Sequence, residues 1–106
     1  MDIGQIKEYA LIIRRELIAQ NITPSVVLLF GSYAKGCARE ESDIDIAVVA
    51  ESFGVDRVRE GAILNLITAN IDSKIDAIPL SLSSYMNIDS HIPIIFEIQK
   101  KSICLL

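Results

Sequence analysis

Only two cysteines occur in this 106-residue chain, Cys37 and Cys104, far apart and each alone. That excludes a disulfide framework and the paired Cys/His spacing of a structural zinc site, and it leaves both thiols reduced and neutral in role. Basic residues are also scarce: ten Lys and Arg against fourteen Asp and Glu, for a net charge of −4. A broad surface for duplex nucleic acid needs a basic stripe to displace phosphate counter-ions, and this composition has none to offer. Apolar residues make up 51% of the chain. No uninterrupted run approaches the roughly 20 residues that span a bilayer. Asp2, Lys7 and Glu8 break the charged-then-apolar order of a signal peptide. The expectation is one soluble domain, residues 1–106, in the cytoplasm, without a membrane contact. So high an apolar share in so short a chain also hints at a partner protein.

What is present is organised around Gly31–Val49, GSYAKGCAREESDIDIAVV. The apolar run Val26–Phe30 has strand length and reads as a buried central strand. Gly31 turns the chain, and Ser32 starts a short helix that Gly36 can end. Cys37–Ser42 reads as a polar loop. Asp43–Ala50 reads as a second strand, with Asp43, Asp45, Ala47 and Val49 on one face and Ile44, Ile46 and Val48 on the other.

The flanking chain reads as support. Asp2 can cap a helix to about Gln20, with Ile3, Ile6, Ala10, Ile13, Leu17 and Ile18 on its apolar stripe. Pro24 stops it by disfavouring helical geometry at Thr23. Val55 to about Ile71 reads as a second helix, with Val55, Val58, Ala62, Leu66 and Ala69 on one face. Lys74–Leu80 reads as a third strand carrying Asp76. Ser81–Ser90 reads as a serine-rich connection. A last helix fits Ile92–Lys101, where Pro93 suits the first turn and Lys100 and Lys101 suit the negative C-terminal end. Ser102–Leu106 is an apolar tail suited to an added edge strand or a partner contact. The predicted fold is a small α/β (α+β) domain whose mixed sheet is flanked by helices.

Residues two apart on a strand point the same way, so Asp43 and Asp45 project together. Two close carboxylates repel unless a cation neutralises them. Hard oxygen ligands of this kind suit Mg²⁺ or Mn²⁺ and leave positions open for water and phosphate. Across the loop, the Gly31 backbone, the Ser32 hydroxyl and the N–H groups that follow form an anion site. Each feature alone has an ordinary explanation: an Asp-x-Asp pair is often a solvated strand face, and Gly-Ser is a common strand-to-helix turn. Together they are two halves of a nucleoside-triphosphate site. Asp76 adds a third carboxylate beside Ile75 and Ile78, where an unpaired charge asks for a reason. The lone histidine, His91, lies before the last helix and reads as structural or exposed.

Gly31-Ser32, ten intervening residues, Asp43-Ile-Asp45 and a later Asp76 resemble the pattern of the polymerase-beta-type nucleotidyltransferase superfamily. Within it, GSYAKG followed by SDIDIAVV resembles the minimal nucleotidyltransferases. Lys35 stands where that family often has arginine, which keeps the charge but loses the planar fork. The resemblance implies that Gly31 and Ser32 hold the β- and γ-phosphates of ATP, with Lys35 and Arg39 as further phosphate contacts. It implies that Asp43, Asp45 and Asp76 are the catalytic carboxylates and bind two Mg²⁺ ions. It implies AMP transfer to a hydroxyl, expected to be tyrosine, on a partner HEPN-domain toxin, so that this chain is the antitoxin of a type VII-like toxin–antitoxin pair. Two other readings stay open at this stage: nucleotidyl transfer to a small molecule such as an aminoglycoside, and neutralisation by binding alone.

Overall fold

The computed structural model describes residues 1–106. In chain order the elements are α1 (Ile3–Ala19), β1 (Val26–Phe30), α2 (Gly31–Lys35), β2 (Ile44–Ala50), α3 (Arg57–Ala69), β3 (Ile75–Ser81), α4 (Leu82–Met86), α5 (Pro93–Lys101) and β4 (Ile103–Cys104). The strands form one mixed sheet in the order β3-β2-β1-β4. β1 runs antiparallel to β2 and to β4, while β2 and β3 are parallel. The expected mixed-sheet α+β architecture is therefore the observed one. No helix is long and apolar enough to cross a membrane.

Local chemistry explains where α1 starts. The Asp2 carboxylate accepts the Gln5 backbone N–H at 2.9 Å, and the Gln5 side-chain oxygen accepts the Asp2 N–H at 3.1 Å. This reciprocal pair satisfies two donors that a helix start otherwise leaves unpaired. Ile6, Ala10, Ile13 and Leu17 are buried along one side, whereas Ile3 and Ile18 from the expected stripe are exposed at its ends. The buried stripe is narrower than the sequence pattern suggests.

The sheet is buried on both faces. One face carries Val27, Leu29, Ile44, Ile46, Val48, Ile75 and Ala77, packed against α1 and α3. The other carries Leu28, Phe30, Ala47, Val49 and Leu80, packed against Ile95 and Ile98 of α5. Strand alternation then places Asp45 and Asp76 on the face that α5 covers.

Boundaries differ from the sequence reading at β2, β3 and α4, whereas the C-terminal tail takes the edge-strand place expected of it. β2 begins at Ile44, so Asp43 stands just before the strand, and β3 spans Ile75–Ser81, one residue later than expected. The Ser81–Ser90 connection contains α4, capped by the Ser81 side chain on the Ser84 N–H. The C-terminal tail supplies edge strand β4, with Leu28 opposite Cys104 and Leu29 opposite Ile103.

The largest difference concerns α3. It starts at Arg57 after an Asp56 cap, and its buried residues are Glu60, Leu64, Ile67 and Thr68. The expected apolar face is the outer one: Val58, Ala62, Leu66 and Ala69 are exposed, as is Val55 ahead of the helix. A polar anchor decides the rotation. The buried Glu60 carboxylate accepts N–H groups from Gly54 at 2.9 Å and from Val55 and Asp56 at 3.1 Å. Burial acts first on this carboxyl and opposes its charge, but the three backbone donors outweigh that and hold its pKa below the usual value.

Candidate functional site

The candidate site lies at the end of the sheet where β1 finishes and β2 and β3 begin. Phe30 is opposite Asp45 across the antiparallel pairing, and Asp45 is opposite Asp76 across the parallel one. Parallel register puts equivalent residues of neighbouring strands on the same face, about 5 Å apart. Two carboxylates thirty-one residues apart in sequence thus become neighbours.

Gly31 makes room for them. Its φ of +71° is a left-handed conformation that glycine adopts without strain. A Cβ at this position would collide with the Asp45 Oδ2 and lie 2.9 Å from its Cγ. The carboxylate therefore leans directly over the Gly31 backbone, and no larger residue fits between them. From Gly31 the chain enters α2 without a side-chain cap, and Gly36, at φ +74°, closes the helix. Ser32, in the first turn of α2, is half-buried and Lys35, in the last, is exposed.

The electrostatics of Asp45 follow from this placement. Its pKa is pushed up to about 6, first by burial and then by the carboxylates of Asp76 and Asp43 and that of Glu97. Lys35 offsets this only in part. The ammonium of Lys35 is instead paired with Glu97 of α5, at 2.7 Å, and that partner raises the Lys35 pKa. A cluster of negative groups with its nearest cation engaged elsewhere is the electrostatic setting that a divalent cation relieves. The residues thus fit Mg²⁺, with oxygen donors from Asp43, Asp45 and Asp76 and open sides for water and phosphate. No three of the acidic side chains are drawn tightly enough together to enclose an ion by themselves.

Not every candidate residue joins this cluster. Asp43 and Asp76 are exposed, so solvent alone can carry their charges; the register beside Asp45 distinguishes Asp76, rather than the burial that its apolar neighbours suggested. Arg39 sits in the loop between α2 and β2, exposed, and is absent from the charges felt at Asp45. Its backbone N–H donates to the Ser42 hydroxyl at 2.8 Å, and it lines a hollow with Met1, Asp2 and Tyr33. The same loop is tied to the start of β3 by Lys74, whose ammonium donates to the Glu40 carbonyl at 3.3 Å. His91 is exposed ahead of α5. Asp72 is a structural acceptor: its carboxylate takes the Lys74 N–H at 2.9 Å and the Tyr9 hydroxyl at 3.0 Å.

Glu97 is the residue that sequence reading missed. It lies between the buried Ile95 and Ile98 on a helix whose visible signals are Pro93 and the terminal lysines. Its only sequence signal is that it is the one acidic residue of α5.

The family model described as "Polymerase beta, Nucleotidyltransferase" matches residues 14–106. A search of curated proteins finds no match. Among solved structures, a protein from Sulfolobus solfataricus described as a nucleotidyltransferase is similar over 96% of this chain and 77% of its own, at 18% identity and a TM-score of 0.65. A toxin–antitoxin structure with AMP-PNP is similar over 94% of this chain and 72% of its own, at 21% identity and a TM-score of 0.65. A mutant of the toxin–antitoxin MntA-HpeT is similar over the same shares, at 20% identity and a TM-score of 0.63. At these identities the structures speak for the fold, and the family model speaks for descent. With its Gly-Ser turn, its Asp-x-Asp strand and its sheet all inside the matched residues, the chain belongs to the polymerase-beta nucleotidyltransferase family.

Proposed function

We propose that this protein transfers AMP from ATP to a tyrosine hydroxyl of an HEPN-domain toxin and thereby acts as its antitoxin. The observation that carries the reading is the Asp45 cluster: a carboxylate raised to about 6, flanked by Asp43 and Asp76, leaning over a Gly31-Ser32 turn.

In this reading Gly31 and Ser32 receive the β- and γ-phosphates, because the glycine lets the backbone approach and the first N–H groups of α2 have no side-chain cap to occupy them. Lys35 adds positive charge beside them. Asp43, Asp45 and Asp76 would hold the divalent ions, and Asp76 would also take the proton of the acceptor hydroxyl. Bound Mg²⁺ supplies charge neutralisation at the phosphates and lowers the pKa of the attacking hydroxyl. The acceptor oxygen bonds to the α-phosphorus as the bond to the pyrophosphate oxygen breaks, and pyrophosphate leaves. Positioning and charge neutralisation account for most of the rate in such transfers.

The partner assignment draws on two supports. Two of the similar structures are toxin–antitoxin pairs, one holding AMP-PNP. The chain is also acidic and exposes Val58 and Leu66 on α3 and Ile94 and Phe96 on α5, apolar surface suited to a protein rather than a nucleic acid duplex.

The test uses labelled ATP, Mg²⁺ and a candidate HEPN toxin. The toxin should gain mass in steps of one AMP, and the Asp43→Asn, Asp45→Asn double variant should lose the transfer while keeping its fold. Full protection of cells by that double variant would replace transfer with neutralisation by binding alone. Label on an aminoglycoside and none on protein would replace the acceptor.

A further inference from the structure

Lys35 is the cation felt at Asp45, yet its partner is Glu97, which belongs to a different element and lies sixty-two residues away. The placement of Glu97 is firm: Ile95 and Ile98 on either side of it are buried against Leu28, Phe30, Ala47 and Val49. Its side chain is 28% exposed and that of Lys35 is 46% exposed. An ion pair between two partly exposed groups is weak and easily exchanged. Lysine suits such exchange, because a compact ammonium on a flexible stem with three donors can move between oxygen partners.

We propose that Lys35–Glu97 is an exchangeable latch, in which Glu97 holds the ammonium in the nucleotide-free protein and surrenders it to the incoming triphosphate. Glu97 is then a positioning residue that acts through Lys35. A polyphosphate outcompetes one carboxylate because it presents several negative oxygens to the same ammonium. When pyrophosphate departs, Glu97 recaptures Lys35, so the ammonium is never left unpaired and release of the product is easier. Glu97 also keeps Lys35 from settling on Asp45, where it would occupy oxygens needed by a cation. The proposal rests on the donor-site reading above and adds to it the residue that tunes nucleotide affinity.

The experiment is calorimetric binding of AMP-PNP with Mg²⁺ to the full chain, the Glu97→Gln and Lys35→Gln variants, and the double variant. Wild type should bind, and Lys35→Gln should bind several-fold more weakly. Glu97→Gln keeps the size of the side chain and removes the competitor, and it should bind about 3- to 5-fold more tightly. In the Lys35→Gln background the gain from Glu97→Gln should shrink by at least half, since only repulsion of the phosphates remains to be relieved. Circular dichroism confirms that each variant is folded. Unchanged or weaker binding by Glu97→Gln overturns the latch, as does an equal gain in both backgrounds or unaltered binding by Lys35→Gln. Wild type failing to bind overturns the donor-site reading along with it, which keeps the two failures distinct.

Discussion

Asp45 on β2 and Asp76 on β3 are register partners in the one parallel pairing of the sheet. Parallel strands cannot be joined by a hairpin, so α3 and its flanking loops must cross over between them. The proximity of these carboxylates is thus a consequence of topology, and the charge at the candidate site depends on a crossover that itself carries no candidate residue.

Replacing Asp45 with asparagine separates activity from stability. Nucleotidyl transfer should fall at least ~100-fold, because the charge that orients the donor is gone. The metal-free protein should nevertheless melt at a higher temperature near pH 7.5. Asp45 titrates near 6 when folded, above its ordinary value of 3.8, so the fold favours the protonated form. Its contribution to stability is full at pH below about 4 and is lost as pH rises through 6. The gain from Asp45→Asn should therefore appear at neutral pH and vanish in acid. Melting curves across pH 4–8 check this, and a gain that is the same at every pH would contradict it.

Gly31→Ala should damage both fold and site. The added Cβ meets the Asp45 carboxylate, and the φ of +71° costs an L-residue about 1–2 kcal/mol on its own. Denaturant unfolding should show at least that loss. Transfer should fall with it even at temperatures where the variant remains folded, because Asp45 must move.

Asp76→Asn and Asp72→Ala should behave oppositely. Asp76 is exposed and pairs with nothing, so its loss should leave the melting temperature nearly unchanged while removing most of the transfer activity. Asp72 accepts the Lys74 N–H and the Tyr9 hydroxyl, and its loss should cost about 1–2 kcal/mol with activity kept at permissive temperature. A pair of unfolding curves and a pair of transfer assays decide it.

Glu60→Ala should destabilise the fold by ~2–3 kcal/mol, since three backbone N–H groups of the loop ahead of α3 lose their buried acceptor. The folded pKa of Glu60 is depressed, so its contribution is present above the ordinary carboxylate value of 4.5 and is lost as pH falls through the depressed one. The difference between wild type and Glu60→Ala, measured by chemical denaturation, should accordingly narrow only in acid.

How far the sequence reveals this molecule depends on whether a signal is local. The Asp2 cap, the apolar run of β1, the glycines at 31 and 36 and the alternation of β2 each declare themselves within a few residues, and each stands where it was expected. α3 is different because it is apolar on two sides. Val58, Ala62, Leu66 and Ala69 make as regular a stripe as Leu64 and Ile67 with Thr68, and helical period cannot choose between them. The choice falls to Glu60, whose carboxylate must reach three N–H groups of the preceding loop.

By itself, then, the sequence determined the existence of α1, β1, β2, β3 and α5, the turn at Gly31 and the nearness of Asp43 to Asp45, because caps, turns and strand alternation act over a few residues. Only the tertiary structure decided that Asp76 stands beside Asp45, that Gly31 lies under the Asp45 carboxylate, and that Glu97 holds Lys35. Those three relationships join residues fourteen to sixty-two positions apart, and they depend on sheet register and helix packing, which no local pattern encodes.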